Sequence, residues 1–137
     1  MRTINGYVYL VVEPMEIIAS DLAMSVQDYD SSATVLIALT LQAAVAKLDG
    51  HTAVRLAFVH ADPRHFATTP LARALEGCGA QVVFTGDAAE RQNDGVSVLQ
   101  RPFCAQSTAA VLRRAEWPQT PGTATNRRAM RPGDVLL

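Results

Sequence analysis

Tyr7 to Glu13 reads YVYLVVE, a run of β-branched and aromatic residues bounded by Gly6 and Pro14. Directly after it, Met15, Ile18, Leu22 and Val26 recur at helical spacing as far as Tyr29. A continuous apolar run followed by a period of three to four predicts a strand buried on both faces and then a one-sided helix. Pro14 fits the helix start, where a missing N–H costs nothing. The same change of period recurs along the chain. Ala33 to Ala38 (ATVLIA) is a second apolar run, and Thr40 is placed to cap a short helix carrying Leu41, Ala44, Val45 and Leu48 before Asp49-Gly50. Val54 to His60 is a third strand, and Pro70 to Cys78 is a helix with Leu71, Ala74, Leu75 and Cys78 on one face, stopped by Gly79. Gln81 to Phe84 and Val96 to Gln100 predict two more strands. Ser107 to Ala115 predicts a last helix, with Arg113 and Arg114 at the end that the helix dipole favours. The stretch between the last two strands is short, and AAERQNDG has little apolar content, so the fourth helix is expected to be a stub or a loop.

Strands that alternate with helices return to the same sheet edge by right-handed crossovers, which implies a parallel sheet covered on both faces. The expected fold is therefore α/β: three layers, doubly wound around a parallel five-stranded sheet, with a shortened fourth helix. The 137 residues suit one domain. A net charge of −1 gives no basic excess for nucleic acid, and no apolar run reaches membrane-spanning length. The N-terminal stretch does not read as a signal peptide, which points to a cytoplasmic protein. Cys78 and Cys104 lack metal-type spacing, and each reads as a small core residue rather than half of a disulfide. From Pro118 the text changes to PQTPGTATNRRAMRPGDVLL, without apolar periodicity. Residues 118–137 read as a flexible C-terminal tail beyond a domain at 1–117, solvated rather than docked. Three arginines against one aspartate leave this tail at +2, so within a chain of net charge −1 the rest carries −3.

Ligand chemistry in such folds gathers beyond the carboxyl ends of the strands. The residues there are Glu13, His60 with Asp62, Thr85-Gly86 and Arg101-Pro102-Phe103. An acid after the first strand, Thr-Gly after the fourth and a basic residue with Pro-Phe after the fifth, in this order, resemble the receiver domain of bacterial two-component response regulators. The resemblance runs from about residue 7 to 116, nearly the whole chain except the tail. The stretches VVFTGD, PLARALEGCGAQVVF and VLQRPF are most similar to the short single-domain receivers of alphaproteobacteria. In that family an Asp ending the third strand takes a phosphoryl group, two acids after the first strand hold Mg²⁺, and a Thr and a Lys grip the phosphoryl oxygens, where charge accumulates during transfer.

Residue by residue, Glu13 and Thr85 match. His60 stands at the phosphoacceptor, Pro14 at the second acid and Arg101 at the lysine. The resemblance thus implies a degenerate phosphorylation site made of Glu13, His60, Thr85 and Arg101, without a metal or another cofactor. It implies a pseudo-receiver that is not an enzyme and signals by phosphorylation-independent protein–protein contact. Its partner would be a signalling protein such as a histidine kinase or a downstream regulator, or a second copy of itself.

Further expectations follow from the residues. Arg101, a bidentate cation, is expected to pair with Glu13 across the site. A shortened fourth crossover is expected to leave apolar area for association around Val98 and Leu112. The alternative reading is a crevice-using enzyme or a metal or small-ligand binder built on Glu13, His60 and Asp62. Against this, Asp62 before Pro63 has the sequence of a turn cap, and His60 that of a hydrogen-bonded strand end. His51 and His65 read as solvated loop residues. No G-x-G-x-x-G follows the first strand, which disfavours a dinucleotide enzyme.

Overall fold

The computed structural model describes residues 7–50, 53–91, 96–101 and 103–116, with the side chains of 115 and 116 left aside. Five parallel strands run β1 (Val8–Val12), β2 (Thr34–Ala38), β3 (Leu56–His60), β4 (Gln81–Thr85) and β5 (Ser97–Val98). Their order across the sheet is β2-β1-β3-β4-β5. This is the flavodoxin-like doubly wound order that the receiver resemblance implies. Helices α1 (Glu16–Tyr29) and α6 (Ala105–Glu116) pack together on one face. The other face carries α2 (Leu41–Lys47), α3 (Pro63–Phe66), α4 (Pro70–Gly77) and α5 (Asp87–Arg91).

The central strands show why their sequences are apolar without a break. In β1, Tyr9 and Val11 enter the core under α1 and α6, while Leu10 and Val12 enter the core under α2 and α4. Strand β3 divides its residues alike, with Leu56 and Phe58 on one side and Ala57 and Val59 on the other. Successive side chains of a strand point to opposite faces, so a strand covered on both needs apolar residues at every position. Against this sheet α1 lays Ala19, Leu22, Ala23 and Val26, at the spacing of one helical face. Phe66 and Phe84 meet edge to face at 5.3 Å below α3 and α4.

Local signals were obeyed where their chemistry was local. The Thr40 hydroxyl accepts from the Ala43 N–H, and Thr69 caps α4 in the same way. Gly50 and Gly79 take left-handed backbone after α2 and α4. The fourth crossover helix is indeed a stub, α5, five residues long with Ala89 buried beneath it.

Several expectations are corrected. Pro14 lies ahead of α1, and Met15, expected on the buried face, stands at the N-cap position without a side-chain capping bond and is 56% exposed. The helix α3 was not foreseen. Cys104 is exposed at the start of α6, where hydrogen bonding by Ser107 holds its thiol below the ordinary range. Leu112 is 2% exposed within the core under α1 and α6, so it offers no surface, whereas Val98 is half-buried. The helical period alone left the rotation of α6 free, and packing against α1 turned Leu112 inward. His65 lies exposed on α3, whereas His51 and residues 118–137 fall outside the described residues. No helix among the described residues is long and apolar enough to cross a membrane.

Candidate functional site

Parallel register places the strand ends side by side. Val12 pairs with Val59 and His60 with Thr85, so Glu13, His60 and Thr85 form a row across β1, β3 and β4. The Glu13 N–H donates to the Ala38 carbonyl at 3.0 Å, which continues the ladder past the end of β1. Its side chain is buried, and the two carboxylate oxygens have separate partners. Oε1 lies 3.2 Å from Nδ1 of His60, and Oε2 accepts the Met15 N–H at 3.0 Å. Glu13 therefore satisfies a backbone donor at the start of α1 and orients an imidazole.

The His60 side chain is 39% exposed, and its ring is pressed against Gly86. Gly86 has φ +100°, and a Cβ there would come within 2.8 Å of Cε1 and 3.0 Å of Nδ1. Only glycine meets both demands, a left-handed backbone and a ring at van der Waals distance. With Nδ1 directed to Glu13, Nε2 is the ring nitrogen left for other contacts. Thr85 beside it is buried at 2% exposure.

Arg101 does not join this row. Its Nε donates to Glu90 Oε2 at 3.0 Å, its Nη2 bonds Asp87 and Glu90 Oε1, and its backbone N–H also donates to Glu90 Oε2 at 3.0 Å. The expected Glu13–Arg101 pair is thus replaced by a clamp between the segment after β5 and helix α5. A guanidinium fork takes the acids that present oxygens along its own plane. Asp87 and Glu90 stand three residues apart on α5 and do so, while both oxygens of Glu13 are engaged elsewhere. These two acids were missed as site residues because the segment read as a stub or loop. Their position directly after Thr85-Gly86 was the available signal.

The Arg101 hydrogen bond holds the Glu90 carboxyl below the ordinary glutamate value of 4.5, and the two acids raise Arg101 above its own. For a carboxylate with a lowered folded pKa, the stabilising contribution is complete above the unfolded value and lost as pH falls through the folded one. Carboxyl ¹³C titration is expected to show Glu90 titrating below the ordinary glutamate range, and Arg101→Ala to return it there. The same Glu90 titration in the parent protein and in Arg101→Ala would refute the clamp.

Asp62 is turned away from the row. Its Oδ1 accepts the Arg64 N–H at 3.0 Å, and its Oδ2 takes the Arg64 guanidinium at 3.2 Å. That side-chain bond lowers the Asp62 pKa. It caps α3, and the grouping of Glu13, His60 and Asp62 does not form. Among the described residues no three His, Cys, Asp or Glu side chains come together as metal ligands. The donor set at the row does not fit the Mg²⁺ held by the family that the sequence resembles. Hard divalent cations want several oxygen ligands, and here one carboxylate is shared between an imidazole and a backbone N–H, with proline where the second acid would stand.

The strand order and the helices on both faces define a flavodoxin-like α/β domain. Solved structures agree on the fold. SdrG from Pseudomonas melonis Fr1, solved in its BeF3-activated conformation, aligns with TM-score 0.59 at 24% identity over 80% of this chain and 97% of that one. SdrG from Sphingomonas melonis Fr1 aligns with TM-score 0.55 at 22% identity, covering 84% and 99%. A protein carrying residues 181–211 of the yeast Spc42 trimeric coiled coil as a fusion aligns with TM-score 0.60 at 22% identity, covering 83% and 80%. No protein-family model and no curated protein matches the sequence.

Proposed function

We propose that this domain is a cytoplasmic signalling module of the receiver type, a pseudo-receiver whose output is protein binding without aspartyl phosphorylation and without catalysis. The observation that carries this reading is the pairing at the end of β3. The position of the family's acceptor carboxylate holds an imidazole, and the adjacent acid spends one oxygen on it. The cation after β5 is committed to Asp87 and Glu90 rather than aimed at the site. Phosphoryl transfer needs a nucleophile and positive charge gathered on the transferring oxygens, and this arrangement supplies little of the second. The partner on this reading is a signalling protein, a histidine kinase or a downstream regulator. It would recognise one fixed conformation rather than one switched by a phosphoryl group.

The test is incubation of the full chain with Mg²⁺ and acetyl phosphate, then intact mass measurement at acidic and at neutral pH. No phosphoryl adduct is expected. His60→Asp alone should also fail to gain one, because Pro14 still stands where a second acid is needed. An adduct on the parent chain, acid-labile or acid-stable, would overturn the proposal.

A further inference from the structure

The helix α1 has three acids, Glu16, Asp21 and Asp28, and no basic residue. Its solvent face is not simply polar. Ile17 and Met24 are 69% and 62% exposed, and with Asp21 and Asp28 they recur at i, i+4, i+7 and i+11, one stripe along the helix. At its N-terminal end the stripe meets an open groove of about 590 Å³ lined by Glu16, Ile17, Ser20, Ile37 and Leu39. Ile37 belongs to β2, an edge strand of the sheet, whose sequence TVLIA contains neither a charge nor a proline. Edge strands are ordinarily protected by charge, proline or a covering segment, so this edge calls for cover. A second copy related by a twofold axis would bring two acidic helices together, and like charges oppose that arrangement.

The chain itself contains a segment of complementary character. Arg127, Arg128 and Arg131 carry positive charge, and Val135, Leu136 and Leu137 follow them. The described structure ends at Glu116, on a helix packed directly against α1. From Trp117 to Arg127 the chain can span up to about 33 Å when extended. The 14 residues of α1 are only about 21 Å long. Length is therefore sufficient.

We propose that residues 127–137 dock on the α1 and β2 edge of the same molecule, with the arginines on the acidic stripe and the apolar residues against Ile17, Ile37 and Leu39. The segment covers the uncharged edge and competes with any partner for that face. The sequence by itself favours a solvated tail. What changes the reading is that the structure exposes an acidic and apolar face within its reach. None of these residues lies in the strand-end row, so the proposal stands or falls independently of phosphorylation.

The experiment uses the ¹⁵N-labelled full chain and its Arg127→Glu, Arg128→Glu, Arg131→Glu variant. Reversing three charges is expected to shift the docked-to-free ratio by on the order of tenfold or more. The Ile17, Met24 and Leu39 amide resonances should move accordingly. Salt near 1 M, where screening shortens to about 3 Å, should move the same resonances in the parent chain. Adding Asp21→Lys and Asp28→Lys to the reversed tail should restore the docked positions of Ile17 and Leu39. Unchanged resonances, or no restoration in a folded charge-swapped protein, would overturn the proposal. So would shifts that grow with protein concentration, since the docked tail would then belong to a second molecule. If the swapped protein fails to fold, the tail reversal and salt series still decide the outcome.

Discussion

Gly86→Ala is expected to destabilise the domain by about 2 kcal/mol or more, the cost of forcing a side chain into a backbone region that only glycine visits freely. The added methyl would also come within 2.8 Å of the His60 ring. The two causes can be separated. In a His60→Ala background the backbone cost remains and the steric conflict is gone. Gly86→Ala should therefore cost less there, with a coupling of about 1 kcal/mol read from urea midpoints at unchanged slope. The control is Gly77, at the end of α4, where an added Cβ meets nothing within 4 Å. Gly77→Ala should raise stability by about 0.5 kcal/mol. Equal losses for Gly86→Ala in both backgrounds would mean that the ring does not rest on Gly86.

Glu13→Ala should have the other large effect. Glu13 is 4% exposed; one carboxylate oxygen accepts the Met15 N–H, and the other lies 3.2 Å from Nδ1 of His60. Removing it leaves two donors to find new partners beside a small void, at a cost of about 1–3 kcal/mol for a buried one and less for the half-exposed ring. A net loss of about 2–3 kcal/mol is expected on that basis. Glu13→Gln keeps one carbonyl oxygen and should lose about half as much. A merely structural role would show only in the melt. An orienting role would also show in the imidazole ¹⁵N shifts: the neutral ring of the parent protein should carry its proton on Nδ1 and lose that preference in Glu13→Ala. An unchanged tautomer would leave Glu13 as a helix cap and nothing more. Arg101→Ala, by contrast, removes an exposed clamp between α5 and the segment after β5. It should leave the His60 tautomer unchanged.

These expectations draw unequally on sequence and structure. The sheet was legible because its cause is dense and local. Continuous apolar runs at Tyr9 to Val12 and Leu56 to Val59 need cover on both faces, and helical spacing at Leu22 and Val26 supplies it. Alternation makes the strands parallel, so Glu13, His60 and Thr85 were expected at one carboxyl edge, while the order β2-β1-β3-β4-β5 that sets them side by side came from the structure. Turn chemistry confined to a few neighbouring residues, as at Thr40, Asp62 and Gly79, was legible for the same reason.

What escaped the sequence were choices among competing long-range partners. Arg101 has acids on α5 and at the end of β1 to choose from, and its partner depends on where a five-residue helix sets Asp87 and Glu90. Glu13 likewise could not be assigned to His60 until the register of β1 and β3 brought them together. Leu112 shows the same limit in the core, since a helical period defines a face but not the direction in which it turns. The amino-acid sequence by itself determined a parallel sheet covered on both faces and the set of residues at its carboxyl edge, because apolar period and crossover handedness act independently of distant detail. Only the tertiary structure decided which side chains in and around that row hold one another, because an ion pair or a hydrogen bond is settled by ångströms that no pattern of residues encodes.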